Sequence, residues 1–209
     1  MHEPQRVLYV HGLFVRGREA WGLRHHLRRE GLSLRRFRYS SRGEAPESVA
    51  ARLADTLRGA PDTHLIAHSL GGLIALTALT EVEPVWRGRA VILASPVAGS
   101  ACARRVDELW GGRRVLGAAR DWLCNGLDGV RLPRERVAFM AGTFNHGVGT
   151  LLHACPTPGD GVVTLAETRI AEAVHALQVN TTHLGLLFSR DAAGAAAGFI
   201  RAGAAAVRR

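Results

Sequence analysis

The sequence predicts an α/β fold: about six mostly parallel strands in one sheet, flanking helices, and a small helical insertion after the fourth strand. Three observations carry this expectation. Short apolar runs alternate with stretches of helical spacing for most of the chain. The runs THLIAHS (63–69) and RAVILAS (89–95) are apolar at consecutive positions, as in strands buried on both faces of a parallel sheet. A chain of 209 residues suits one domain with a substantial core, and no repeat, linker or low-complexity tract divides it.

Taken in order, RVLYV (6–10) is rich in β-branched and aromatic residues and stops at His11 and Gly12, so it reads as a buried strand ending in a turn. REAWGLRHHLRRE (18–30) has helical spacing, with Trp21, Leu23 and Leu27 expected on a similar face and Gly31 as the stop. LSLRRFRYS (32–40) is the second strand. PESVAARLADTLRG (46–59) is a helix opened by Pro46, with Val49, Leu53 and Leu57 on one stripe. THLIAHS is the third strand, LGGLIALTALTEV (70–82) its helix, and RAVILAS the fourth strand. The alternation then pauses over 99–130, which is helical in character through 103–127 and reads as an insertion. RVAFMAG (136–142) is the fifth strand, and a glycine-rich loop leads to TPGDGVVTLAE (157–167). AVHALQV (173–179) is the sixth strand, NTTHLGLLFS (180–189) a loop entering a helix, and 191–207 an alanine-rich closing helix.

The net charge of +9 and pI near 11.1 would ordinarily point to nucleic acid or an anionic surface. All 27 cationic side chains are arginine, however, and those in RHHLRRE and RRFRYSSR are scattered between helix and strand without the aromatic interleaving of a base-stacking platform. Nucleic-acid binding is therefore not expected, whereas attraction to an acidic partner stays open. The start, MHEPQRVLYVHG, has no signal-peptide pattern and its apolar run is too short to cross a bilayer, so a cytoplasmic location without a transmembrane segment is expected. Cys102, Cys124 and Cys155 are odd in number and lack metal-ligand spacing, and read as buried small hydrophobes. His64, His68, His146, His153 and His175 show no helical i,i+4 pair and read as structural or solvated, so neither metal nor cofactor is expected. Without lysine, no phosphate-binding loop of the usual type exists.

The stretch HLIAHSLGGLIAL (64–76) runs an apolar strand into one serine, two glycines and a helix. A serine at such a turn exposes its hydroxyl at the carboxyl edge of the sheet, and the next backbone N–H faces the place where an oxyanion would form. Ser69 has Ala67 two positions before it and Gly71 two after, an A-x-S-x-G variant of G-x-S-x-G. A serine hydroxyl is a poor nucleophile at neutral pH, so the turn requires a base and a carboxylate to orient that base. Asp160, flanked by glycines after the fifth strand, and His183, after the sixth, supply them. Asp62, Asp128 and Glu167 are rival acids, but none stands in a glycine-flanked loop after the fifth strand. In YVHGLF, the turn at His11 and Gly12 would bring the N–H of Leu13 to join that of Leu70, with Phe14 as the alternative donor; each such donor lowers a barrier by roughly 3 to 4 kcal/mol. His11 itself reads as a loop-fixing residue.

HGLF, AHSLGG, ASPVAGS, GDGVV and THLGLL, in that order across residues 7 to 188, resemble the α/β-hydrolase superfamily, specifically the compact bacterial lipase and esterase type. The resemblance implies Ser69 as nucleophile, Asp160 as acid, His183 as base, and Leu13 with Leu70 as oxyanion donors. It also implies a minimal hydrolase that begins at the family's third strand, with a sheet order like 2-1-3-4-5-6 and 99–130 as a cap or lid. Phe14, Trp110 and Trp122, together with Leu109 and Leu123, would line an acyl pocket, unless the cap residues are simply helix core. The function expected is hydrolysis of a small-molecule or lipid ester with an aliphatic acyl chain. The alternatives are thioester hydrolysis or acyl transfer on an acyl carrier protein or coenzyme A, and, in a different class, a hydrolase-fold binding protein without catalysis.

Overall fold

Six strands pair in parallel into a single sheet: β1 (Gln5–Val10), β2 (Leu32–Arg36), β3 (His64–His68), β4 (Ala90–Leu93), β5 (Val137–Gly142) and β6 (His175–Val179). Their order, β2-β1-β3-β4-β5-β6, is the expected one. The computed structural model describes residues 5–83, 85–129, 134–168 and 173–206. The ends of the expected insertion and closing helix, Val130 and Val207, lie outside the described residues.

The register decides where a site can form. Val10 pairs with Ala67, His68 with Leu93, Leu93 with Met140, and Gly142 with Val179, so the loops after β1, β3, β4, β5 and β6 all leave from one edge. In an open parallel sheet that carboxyl edge is where ligands bind.

Period-two alternation sorts the strands' side chains between two cores. Leu65, Ala67, Ala90 and Ile92 face a cluster built with α2 (Pro46–Gly59) and α3 (Leu70–Val82). Ile66, Val91 and Leu93 face a second cluster built with α1 (Trp21–Arg29) and α8 (Arg190–Ala206). Strands β3, β4 and β5 are buried at every position, as expected of central strands covered on both faces, whereas β6 alternates as an edge strand. Helix α3 is apolar all round and buried along most of its length, held between the sheet and α2.

The structure departs from the sequence reading in four places. Trp21 does not share the buried face of Leu23 and Leu27: it is 66% exposed and meets Phe188 edge-on, because two residues along a helix rotate a side chain by about 200°. Strand β2 stops at Arg36 rather than at residue 40, since β1 turns away at His11 and the last ladder-like bond runs from the Phe37 N–H to Tyr9. The insertion is three short helices, α4 (Ala101–Glu108), α5 (Gly112–Leu116) and α6 (Arg120–Asn125), with a 3-10 turn before the last. Gly111 (φ 78°) and Gly117 (φ 60°) adopt the left-handed backbone that breaks the run. A further short helix, α7 (Val148–Leu151), interrupts the glycine-rich loop.

Candidate active site

Ser69 is the single residue between β3 and α3, with φ 56° and ψ −124°, a backbone conformation L side chains rarely adopt. Its surroundings explain why it is held there. A Cβ on Gly71 would lie 2.2 Å from the carbonyl oxygen of Val10 and 2.4 Å from that of His11, so α3 starts pressed against the end of β1. A Cβ on Gly72 would lie 1.8 Å from Ser95 Oγ in the loop after β4. The two glycines after the serine are thus demanded by close packing, and the turn is tight from both sides. Ser69 itself is half-buried.

The loop after β1 passes directly over the serine, because a Cβ on Gly12 would stand 3.1 Å from Ser69 Cβ. Phe14, two residues on, has φ 65°. Among the described residues no carbonyl accepts from the N–H of Leu13 or of Leu70, which leaves both donors available to a ligand. The loop is braced from beneath. His11 stacks on Tyr39 with ring centroids 4.0 Å apart, its Nδ1 donates to the Gly12 carbonyl, and the Tyr39 hydroxyl donates to the His11 carbonyl. Burial holds the His11 imidazole below its ordinary pKa, so it braces the loop as a neutral ring.

Asp160 and His183 come together at the far end of the same edge. Nδ1 of His183 donates to Asp160 Oδ2 at 2.8 Å, and the His183 backbone N–H donates to the Asp160 carbonyl at 3.0 Å. With Nδ1 protonated, Nε2 carries the lone pair a general base needs. Asp160 is 1% exposed, and its Oδ1 accepts from the N–H groups of Val162 (3.0 Å) and Val163 (2.8 Å). Burial pushes the carboxyl up, but the charge and hydrogen bond of His183 and the two amides outweigh it, so Asp160 stays ionised below the usual aspartate range. Gly142, the last residue of β5, makes this convergence sterically feasible: a Cβ there would be 2.5 Å from the Thr181 carbonyl and 2.8 Å from Asp160 Cβ.

His68 links the two halves. Its Nε2 donates to the His183 carbonyl at 3.1 Å, and the two rings lie 4.6 Å apart. The residue preceding the serine therefore touches His183. Burial and the neighbouring His183 lower its pKa to about 3, which keeps it neutral. The sequence reading placed His68 among structural histidines, and its adjacency to Ser69 was the signal that could have singled it out.

The expected pocket residues do not gather. Phe14 is exposed and lines a cavity beside the loop after β1, but Trp110 stands wholly exposed in the turn between α4 and α5, and Trp122 packs against the core. Leu123 is buried in the same core and Leu109 is exposed, so these residues of the insertion divide between core and solvent. Of the rival acids, Asp62 pairs with Arg87 at the surface and Asp128 is exposed. Glu167 is buried but occupied: its carboxylate accepts from the N–H groups of Ala101 and Thr164, tying the first turn of α4 to the loop that carries Asp160. Among the described residues no three histidine, cysteine or acidic side chains cluster as a metal site requires. Cys102, Cys124 and Cys155 are buried free thiols.

No protein-family model and no curated protein matches the sequence. Solved structures match across nearly all of it. The metagenomic carboxyl esterase MGS0156 is 18% identical, with a TM-score of 0.66, covering 100% of this chain and 77% of its own. The RedJ thioesterase of prodiginine biosynthesis in Streptomyces coelicolor is 14% identical, with a TM-score of 0.62 over 94% of this chain and 85% of its own. Phospholipase PlaB from Legionella pneumophila is 20% identical, with a TM-score of 0.58 over 78% of this chain and 45% of its own. With other matches described as α/β-hydrolases, these likenesses establish that the chain has the α/β-hydrolase fold.

Proposed function

We propose that the chain is a serine hydrolase that cleaves carboxylic esters through an acyl-enzyme on Ser69. The observation that carries this reading is the Asp160–His183 hydrogen bond at 2.8 Å on the same sheet edge as a serine forced to φ 56°. Ser69 Oγ attacks the ester carbonyl while His183 Nε2 takes its proton, and the N–H groups of Leu13 and Leu70 receive the oxyanion. The tetrahedral intermediate collapses, the C–O bond to the alcohol breaks, and the imidazolium returns the proton to the departing oxygen. Water, deprotonated by the same imidazole, then adds to the acyl carbonyl, and Ser69 leaves with that proton as the carboxylic acid is released. Asp160 stays ionised throughout, holding the Nδ1–H tautomer and offsetting the imidazolium charge.

The same chemistry serves a thioester on coenzyme A or an acyl carrier protein, or transfer of the acyl group to an alcohol. The net charge of +9 favours an acidic carrier by attraction. Residues 99–130 are proposed as a cap over the edge, and a cytoplasmic location is proposed with it; no helix among the described residues is long and apolar enough to cross a membrane. The test is hydrolysis of nitrophenyl esters over a series of acyl lengths, with Ser69→Ala as the blank for each. Loss of turnover by at least ~10³-fold is expected in the variant. Equal turnover by the two proteins would overturn the serine mechanism.

A further inference from the structure

Five arginines with no carboxylate partner among the described residues, Arg16, Arg18, Arg36, Arg38 and Arg42, line a cavity of about 860 Å³. A second hollow of about 590 Å³ shares three of them and adds Arg24 and Arg35. In sequence these residues are dispersed over the loop after β1, the end of β2 and the segment beyond it. The β2-β1-β3 order brings them to one place, on the carboxyl edge.

The cavity adjoins the catalytic edge. Phe14 and Tyr39 belong to its wall; Phe14 lies two residues past the Gly12 that packs on Ser69, and the Tyr39 hydroxyl holds the His11 carbonyl. Two of the guanidinium groups are pre-positioned. Arg36 donates to the Arg16 carbonyl at 3.0 Å, and its stem lies across Gly17 (φ 79°), where a Cβ would come within 2.4 Å of Arg36 Cδ. Arg42 donates to the Arg114 carbonyl at 3.0 Å and sits 5.9 Å from the Phe14 ring centroid. The nearby acids are engaged elsewhere: Glu44 pairs with Arg52, and Glu19 accepts from the Tyr9 hydroxyl.

Guanidinium groups gathered in one cavity with no ion-pair partner among the described residues repel one another, and a multiply charged anion relieves that repulsion while matching their planar, forked donors. A wall so charged disfavours an aliphatic acyl chain, which leaves the polar half of the substrate to occupy it. We infer that this cavity is a phosphate-binding subsite that selects esters or thioesters whose alcohol or thiol half carries a phosphate. The inference rests on the ester-hydrolase reading of Ser69 for its catalytic consequence, but not for binding itself.

The experiment compares kcat/KM within two pairs of substrates sharing an octanoyl chain. One pair is octanoyl glycerol 3-phosphate against octanoyl glycerol, and the other octanoyl 4′-phosphopantetheine against octanoyl N-acetylcysteamine. A preference of about tenfold or more for the phosphorylated member is expected in one pair, and which pair shows it separates a lipid headgroup from a carrier-type thiol. The preference should shrink as salt rises and in the Arg18→Gln/Arg38→Gln double variant, whose two native guanidinium groups make no hydrogen bond or ion pair among the described residues. Parity within both pairs would overturn the substrate assignment. Titration with pyrophosphate reads the subsite separately: the double variant should bind about tenfold more weakly. Equal affinity would overturn the subsite even if the esters are hydrolysed. If no substrate is turned over above the Ser69→Ala blank while pyrophosphate binding still depends on the arginines, it is the hydrolase reading that fails.

Discussion

A close approach of backbone to backbone behind the site predicts the effect of Gly71→Ala. An alanine Cβ would lie 2.2 Å from the Val10 carbonyl oxygen and 2.4 Å from that of His11, where real Cβ atoms do not come within 3.0 Å. Both obstacles are backbone atoms at the end of β1, so no side chain can swing aside. Helix α3 must therefore withdraw from β1 by about 1 Å, which carries Leu70 and Ser69 away from Leu13 and Gly12. A displacement of that size in a positioned site costs roughly 10²-fold in rate, and overpacking of this kind costs about 1–3 kcal/mol of stability. For a chain of this length, that lowers the thermal midpoint by about 2–12 °C. The measurements are kcat/KM on the preferred nitrophenyl ester and a thermal melt, with Gly194→Ala as control. Gly194 sits on the exposed face of α8 with nothing within 4 Å of its would-be Cβ, and alanine there should leave kcat/KM alone and stabilise by about 0.5–1 kcal/mol. A Gly71→Ala enzyme with wild-type kcat/KM and midpoint would refute the claim that the approach of α3 to β1 sets the oxyanion geometry.

Ser69→Gly should abolish turnover yet raise the thermal midpoint relative to Ser69→Ala, because glycine relieves a backbone strain of about 1–3 kcal/mol at φ 56° that alanine retains; equal midpoints would mean the elbow stores no strain. Asp160→Asn keeps an acceptor for Val162 and Val163 but lets His183 adopt the wrong tautomer, so kcat should fall by about 10⁴-fold, and a fall under tenfold would remove Asp160 from the mechanism. Burial lowers His64 to about 4 and, with His183, lowers His68 to about 3. Because these folded-state values lie below the unfolded value near 6.5, the stability that each neutral ring confers is complete above that pH. It is lost as pH falls toward 4 for His64 and 3 for His68, at up to about 1.4 kcal/mol per pH unit for each ring. Urea midpoints taken from pH 7 to 5 should decline accordingly and decline less steeply in His64→Gln; the same slope in both proteins would contradict the burial argument.

What the sequence disclosed depended on whether the signal was local. The strand at 64–68 and its helix at 70–82 were legible because an apolar run, a serine and two glycines state the whole strand–turn–helix unit in consecutive residues. Asp160 could be picked out for the glycines beside it and His183 for its place after the last strand, and the structure sets the two 2.8 Å apart. The two tryptophans of the insertion do not mark a pocket, for the opposite reason. Trp110 and Trp122 are large and apolar, but whether such a residue faces solvent, core or ligand is decided by turns at Gly111 and Gly117 that a helical pattern does not reveal. The arginines show a second limit of reading along the chain. Read along the chain, the basic residues near the start are dispersed over unlike elements, and dispersion looks like solvated charge. Only the crossover that places β2 beside β1, with both strands ending at the same edge, brings Arg16 and Arg18 together with Arg36, Arg38 and Arg42 around one cavity. Charge that is diluted in sequence is concentrated by topology, and it is concentrated next to the loop that passes over Ser69.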